Sequence, residues 1–194
     1  MRLADRPRSG PLVLLLLLLT APLAASAAEL AGVQLDDRVV ARDNTPLPLH
    51  GAGLREKFFI DIYVGALYLP RTGQSAERIR RTDQAGRVEM HFVYDDVPRE
   101  KLEKAWRRGF AANNPKEVRD TIADRIGRFV GLFPAAGSGD TFAMEYVPGD
   151  GTDVLVNGER VGSIRGGAFF RALLAVWLGP EPPNEGLRRG MLGR

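Results

Sequence analysis

The segment from Lys57 to Leu69, with the sequence KFFIDIYVGALYL, limits most strongly what this chain can fold into. Its aromatic and β-branched residues favour extended structure, and it is bounded by Gly53 and Pro70. The pattern predicts one long strand, or two strands joined at a bulge near Gly65. The preceding residues, Gly51–Arg55, are predicted to form a turn that leads into the strand. A strand this apolar needs neighbouring strands and a covering layer.

Shorter strand patterns occur on both sides of this segment. Residues 33–49 alternate apolar runs with turn residues, which predicts short strands or a hairpin. Residues 87–97 predict a strand whose alternate positions face a core, and residues 141–147 predict another. Asn157-Gly158, which stands between two apolar runs, predicts a tight hairpin turn. Together these patterns indicate an antiparallel sheet.

Helical patterns lie mainly in the second half of the chain. A short helix capped by Ser75 is expected first, and longer amphipathic patterns follow it. The predicted helices cover residues 75–81, 98–112, 116–133, 168–178 and 184–192. Because strand runs and helix runs are segregated, the chain is predicted to be α+β, with an antiparallel sheet covered by a layer of helices. The seam between the two layers is where a small apolar ligand would fit.

The first 28 residues have the layout of a cleavable export signal. Three arginines lie among the first eight residues, an apolar run covers 11–19, and small residues fill 24–28. The apolar core is about ten residues long, whereas a membrane-spanning helix needs about 20. We therefore expect cleavage near Ala27 or Ala28 and a mature domain over residues 29–194. That domain is expected in the periplasm or secreted, without a stable membrane span; an uncleaved N-terminal anchor is the alternative.

Composition excludes several classes of function. Without the three arginines and one aspartate of the first 28 residues, the whole-chain count of 27 basic and 24 acidic side chains falls to 24 and 23. This balance gives no reason to expect nucleic-acid binding. The chain has no cysteine, so a disulfide framework and thiolate chemistry are excluded. The two histidines, His50 and His91, lack zinc-ligand spacing, and neither a metal nor a cofactor is expected.

Three polar side chains near the apolar segment are candidates for ligand binding. Arg55 stands at its start, where it either lies in solvent, pairing with an acid such as Glu56, or points into the seam. A buried guanidinium needs an anion, and a ligand carboxylate or phenolate would serve. Tyr63 and Tyr68 are each placed to donate a phenolic hydrogen bond to that anion, although each also fits as an ordinary core tyrosine. No nucleophile, phosphate-loop or dinucleotide motif is present, and no residue is assigned a catalytic role.

Four stretches of sequence carry a resemblance to a known family. They are GAGLREKFF from Gly51, AWRRGF from Ala105, VNGERVGSI from Val156 and FFRALLAVWLGP from Phe169. With these stretches the chain resembles the chalcone isomerase family, and specifically its bacterial exported chalcone-isomerase-like members. The resemblance covers nearly the whole of the expected mature chain.

The resemblance implies an open-faced β-sandwich, in which a large antiparallel sheet is covered by helices. In the plant enzymes the cleft between the layers closes a flavonoid ring, and related members hold a fatty-acid carboxylate with an arginine and a tyrosine. Arg55 matches the family arginine, the plant strand threonine falls on Tyr63, and Tyr68 occupies the aromatic position before the last strand leucine. The tyrosine and asparagine of the plant site have no match over residues 96–106, and the polar position of the late helix falls on Val176.

An arginine without the other proton-handling groups favours binding over catalysis. The expected function is periplasmic binding of a small amphipathic carboxylate, such as a fatty acid, in the seam, without isomerase activity. One alternative is an intramolecular lyase or isomerase acting on a chalcone-like or other small phenolic substrate, with Arg55 as electrostatic stabiliser. The other is a ligand-free accessory protein whose cleft is filled by side chains. The sequence does not predict the oligomeric state.

Overall fold

The computed structural model describes residues 28–194. The export signal expected over residues 1–28 therefore lies, apart from Ala28, outside the described residues. In the described range, alternation of apolar and polar residues produces the strands, and apolar residues at helical spacing produce the helices.

Within residues 28–194 the chain forms nine strands. They are β1 (Ala28–Leu30), β2 (Val33–Leu35), β3 (Arg38–Val40), β4 (Pro46–Lys57), β5 (Ile60–Tyr68), β6 (Gly86–Phe92), β7 (Thr141–Val147), β8 (Gly151–Val156) and β9 (Glu159–Arg165). β3 to β9 form one antiparallel sheet in which the strands follow each other in sequence order. β1 and β2 form a separate hairpin.

The same part of the chain forms six helices. They are α1 (Ala76–Arg81), α2 (Arg99–Asn113), α3 (Lys116–Thr121), α4 (Ala123–Val130), α5 (Gly167–Leu178) and α6 (Glu185–Met191). α5 is the centre of the covering layer, since every residue from Phe169 to Leu178 except Arg171 is buried. It packs against α2, while α6 packs on β4 and β5. The Ser75 side chain accepts a hydrogen bond from the Arg78 backbone N–H at 3.3 Å, which confirms the predicted helix cap.

The sheet has two different faces. The face covered by helices carries the larger core, in which Leu67, Val88 and Phe142 join the apolar side of α5. The opposite face, called the outer face below, carries a smaller apolar cluster that includes Leu47 and Val64 and is covered by residues from β2 and β3. This arrangement confirms the predicted α+β fold, an antiparallel sheet with helices layered on one side.

The long apolar segment is a hairpin whose turn lies at Phe58 and Phe59, so the predictions of one strand or of a bulge near Gly65 are wrong. Both turn residues have a positive φ, 51° and 64°, as a two-residue type I′ turn requires. Such turns normally contain asparagine or glycine, and two phenylalanines carry no turn signal. Pairing continues through Gly65, which lies opposite Gly53 in the register of β4 and β5.

The turn predicted at Gly51–Arg55 is also wrong, because these residues lie inside β4. The glycines serve tertiary packing instead. A Cβ atom on Gly51 would overlap the carbonyl oxygen of Gly190, and one on Gly53 would lie 2.8 Å from the Cα atom of Leu187. Without side chains at these two positions, the backbone of α6 rests directly on the backbone of β4.

A buried histidine, His50, also stabilises the contact between β4 and α6. The Gln74 backbone N–H donates to Nε2 of His50 at 3.0 Å, so the ring proton lies on Nδ1. That nitrogen is 3.1 Å from the carbonyl oxygen of Met191, at the end of α6. His50 therefore links β4, α6 and the loop before α1 in one hydrogen-bonded chain.

The helix predicted over residues 116–133 is divided into α3 and α4 at Ile122. The backbone of Ile122, with a φ of −118° and a ψ of 16°, leaves the helical conformation. Its side chain is 1% exposed and belongs to the core. The regular apolar spacing of the segment carried no signal for this break.

Candidate functional site

The structure brings Arg55 and Tyr63 together. They are direct cross-strand partners in the register of β4 and β5, so both side chains start from the helix-covered face. The Arg55 side chain is half-buried, and its Nη1 donates to the backbone carbonyl oxygen of Glu56 at 2.7 Å. Among residues 28–194, no carboxylate lies within 4 Å of this guanidinium. Most of its donors thus remain available to an anion.

Tyr63 presents a protonated hydroxyl in the seam. Its oxygen accepts a hydrogen bond from Nε1 of Trp177 on α5 at 3.1 Å. Burial raises the pKa of Tyr63 to about 12, although the Trp177 hydrogen bond and the charge of Arg55 act in the opposite direction. At neutral pH the group therefore keeps its proton, and in the described part of the chain that proton meets no acceptor. It can be donated to a ligand.

A second buried donor lies in the covering layer. Nε1 of Trp106, on α2, is buried without a hydrogen-bond partner. The Trp106 ring meets the Trp177 ring edge to face, with 5.5 Å between ring centroids, and stacks on Phe133 at 5.3 Å. A buried N–H without a partner costs about 1–3 kcal/mol. The two indoles thus place one satisfied and one unsatisfied donor in the same aromatic layer.

The seam beside Arg55 and Tyr63 is packed with side chains. Phe92 lies 5.8 Å from Tyr63 between ring centroids. On the other side, a Cβ atom added to Gly65 would lie 2.9 Å from Leu187 Cδ1 and 3.4 Å from Met191 Sδ. α6 therefore presses on the sheet next to Tyr63. Two surface cavities of about 550 Å³ and 410 Å³ lie elsewhere, along α2 and at α1.

Tyr68 does not join this site. It is five positions after Tyr63 on the same strand, and alternation places it on the outer face. There it is fully buried in the smaller apolar cluster, and its hydroxyl has no hydrogen-bond partner. Burial, followed by the negative charge of Glu89, raises the pKa of Tyr68. A ligand held by Arg55 and Tyr63 cannot also reach Tyr68 through the sheet.

The outer face carries an ionic network that was not predicted from the sequence. Arg87, Glu89 and His91 alternate along β6, with Arg87 Nε 2.7 Å and His91 Nε2 2.9 Å from the two carboxylate oxygens of Glu89. Arg87 Nη1 also lies 3.4 Å from Glu145 Oε2 on β7. Burial alone would raise the pKa of Glu89, but the hydrogen bond from His91 and the charge of Arg87 outweigh it and lower the pKa. Charged residues at every second position of β6 were the signal that could have identified this network.

Two further properties of residues 28–194 bear on function. Their histidine, aspartate and glutamate side chains form no group of three or more that is placed to hold a metal ion. Their helices include none that is long and apolar enough to cross a membrane.

A curled antiparallel sheet with helices on one face is an open-faced β-sandwich, and here an arginine and a tyrosine meet at its seam. The model of the chalcone isomerase-like family matches the sequence over residues 27–193. The chain therefore belongs to the chalcone isomerase-like family.

Solved structures support the same assignment of fold. Thirty-six solved chains are significantly similar to this one. Among them is the crystal structure of a fatty-acid binding protein from Arabidopsis thaliana, which is 18% identical in sequence and superposes with a TM-score of 0.58. The match covers 80% of this chain and 95% of the plant chain. A comparison with curated protein sequences gives no significant match.

Proposed function

We propose that this protein binds a small amphipathic carboxylate, such as a fatty acid, at the seam between sheet and helices. The observation that carries the proposal is the cross-strand pair of Arg55 and Tyr63, which combines a guanidinium without a carboxylate partner and a hydroxyl whose proton has no acceptor within residues 28–194. The binding of fatty acids by the structurally similar plant protein agrees with this ligand class.

The chemistry of the pair suits a carboxylate head group. A guanidinium offers parallel N–H donors that match the two oxygens of a carboxylate. The raised pKa of Tyr63 keeps its hydroxyl a donor rather than a negatively charged phenolate that would repel the ligand. A hydrogen bond between charged groups contributes about 1.5–3 kcal/mol. The pair can therefore hold the head group while the tail enters an apolar layer.

Entry of the tail requires movement of side chains, because the layer is packed. The nearest elements are Trp177, whose N–H already contacts the Tyr63 hydroxyl, and the short helix α6. Leu187 and Met191 lie between α6 and the sheet and are fully buried. An acyl chain that displaces them would replace one apolar contact with another. Binding is thus expected to move α6 away from Gly65.

The same residues argue against an isomerase. Acid–base catalysis needs a group that changes protonation near neutral pH within reach of the substrate. Tyr63, with a pKa of about 12, does not, and the late-helix position that is polar in the plant enzymes is the buried Val176. These features favour a binding protein without isomerase activity. From the export signal expected over residues 1–28, we propose that it works in the periplasm or outside the cell.

A ligand-free accessory role is the second candidate. The packing of Phe92, Trp177 and Leu187 around Tyr63 favours it, since these side chains fill the space that a ligand tail would need. In that case Arg55 has only its hydrogen bond to the Glu56 backbone.

Titration with dodecanoate, followed through tryptophan fluorescence and by calorimetry, separates the two candidates. The Arg55→Ala variant should bind dodecanoate about 10- to 150-fold more weakly, which corresponds to the contribution of about 1.5–3 kcal/mol. Arg38→Ala, which removes an exposed arginine on β3, is the matched control. Dodecanol, which lacks the charge, should bind wild type and Arg55→Ala equally. Absence of dodecanoate binding to the wild type would favour the ligand-free role, and equal affinity in Arg55→Ala would refute the proposed head-group site.

A further inference from the structure

The hairpin of β4 and β5 ends in two exposed aromatic rings. Phe58 is 83% exposed and Phe59 is 98% exposed. They are the central residues of the turn, so their side chains project beyond the end of the sheet. An exposed pair of large apolar side chains at a protruding position indicates a binding surface rather than a packing element.

The turn keeps these rings at a cost in stability. Both residues have a positive φ, a backbone conformation that is unfavourable for any residue with a Cβ atom. The chain forms a comparable turn elsewhere with favourable residues, since Asn157 and Gly158 have φ values of 51° and 82° between β8 and β9. The same backbone could thus be made without strain, and neither phenylalanine ring is buried against the rest of the protein.

Other apolar side chains gather at the same end of the sheet. Ile60 is 44% exposed and Tyr94 is 37% exposed, and the Tyr94 backbone N–H donates to the Ile62 carbonyl oxygen at 3.3 Å. The ammonium of Lys57 lies 5.5 Å from the centre of the Phe58 ring. We call this set, Lys57 to Ile60 with Tyr94, the aromatic tip.

We propose that the aromatic tip inserts into the interfacial region of a phospholipid membrane. Each aromatic side chain buries about 150–250 Å². The tip therefore offers on the order of 500 Å², whereas a stable protein interface needs about 800 Å² from each partner. A membrane interface requires only shallow insertion of apolar groups, with a cation such as Lys57 extended toward lipid phosphates. A convex tip can also insert into a bilayer without a preformed pocket, whereas a protein partner would need one.

The aromatic tip lies next to the ligand site. Arg55 is two residues before Lys57, so insertion of the rings would hold the guanidinium at the level of the lipid head groups. Membrane docking does not depend on fatty-acid binding. If the proposed function holds, docking would bring the site close to its ligand, since an amphipathic carboxylate partitions into membranes. The two proposals can be tested separately, because different residues carry them.

The sharpest test is a tryptophan placed at the tip. Phe59→Trp should show a blue shift of its emission and quenching by brominated acyl chains when vesicles of phosphatidylethanolamine and phosphatidylglycerol are added. The native Trp106 and Trp177 are buried and should not respond. Val161→Trp, at an exposed apolar position of β9, is the matched control and should remain unquenched. Because the new tryptophan lies in the tip, this readout is independent of any membrane binding by residues 1–27.

A second variant separates lipid binding from folding. Phe58→Asn combined with Phe59→Gly gives the turn its preferred residues, so the midpoint of thermal unfolding should rise while vesicle affinity falls by about 10-fold for each ring removed. The double variant should keep its affinity for dodecanoate, so a failure of membrane docking and a failure of the ligand site give different results. Unquenched Phe59→Trp, or unchanged vesicle affinity in the double variant, would overturn the proposal. So would a wild-type dimer in sedimentation that the double variant abolishes, since the tip would then bind a second copy of the chain.

Discussion

Replacement of Gly53 by alanine tests whether β4 tolerates a side chain at the position where α6 packs against it. The new Cβ atom would lie 2.8 Å from the Cα atom of Leu187, and the carbonyl oxygen of Leu187 lies even closer. A flexible side chain could rotate away from such an overlap, but the obstacle here is the backbone of α6. The whole helix must therefore shift, or detach from the sheet.

The expected loss follows from what α6 buries. Overpacking costs about 1–3 kcal/mol, and a backbone obstacle belongs at the upper end of that range. If α6 detaches, Leu187 and Met191, both fully buried, also lose their contacts. Each contributes about 1.5–3 kcal/mol. We therefore expect Gly53→Ala to lower the free energy of unfolding by about 3 kcal/mol for a shifted α6, and by more for a detached one.

Urea denaturation followed by circular dichroism measures this loss, and Gly127→Ala is its control. Gly127 lies inside α4, and a Cβ atom there would meet nothing within 4 Å. In a helix interior, alanine is favoured over glycine by about 1 kcal/mol, so the control should be stabilised. Opposite signs for the two substitutions support the close approach of α6 to β4. A loss below about 1 kcal/mol in Gly53→Ala would refute it, because overlap with a fixed backbone cannot be so easily relieved.

Two further predictions concern buried polar groups. Tyr63→Phe leaves the Trp177 N–H without its acceptor and should lower the free energy of unfolding by about 1–3 kcal/mol, whereas Tyr68→Phe removes a hydroxyl that has no partner and should leave stability unchanged or raise it. Urea denaturation of both variants checks this, and equal losses would contradict it. Since the folded-state pKa of Glu89 lies below its unfolded value, its carboxylate adds stability above the unfolded pKa, and that stability is lost as pH falls through the folded pKa. Glu89→Gln should therefore flatten the fall of stability below about pH 4, a change measurable by thermal unfolding across the acid range.

Local signals in the sequence were enough for the class of fold. The Asn157-Gly158 turn and the strand over 141–147 lie where the sequence predicted them, because turn residues and alternation act over a few positions. Segregation of strands and helices then led to the correct layered architecture. These features depend on neighbours in the chain, which a single sequence displays.

The sequence could not identify features that depend on distant contacts. In the sequence, the glycines at 51 and 53 resemble a turn, and only the packing of α6 against them explains why glycine is needed in a strand. Similarly, Ile122 ends α3 because its side chain is buried in the core. The turn at Phe58 and Phe59 lacks turn residues altogether. Tyr68 is different, because its odd spacing from Tyr63 already places the two tyrosines on opposite faces of one strand. Pairing of Arg55 with Tyr63 could be deduced only once the turn was known.

The order of the elements along the chain makes the docking of α6 on β4 a late step in folding. Strands β3 to β9 each pair with the strand made just before or after them, so the sheet can grow as the polypeptide emerges. α6 is different, since it follows all the strands and returns to β4, more than a hundred residues earlier. A contact between such distant residues forms late and slowly. Until then the glycines of β4 and the apolar surface next to Tyr63 stay exposed to solvent and to any apolar molecule nearby. A nascent chain therefore exposes the same surface that α6 covers in the folded protein.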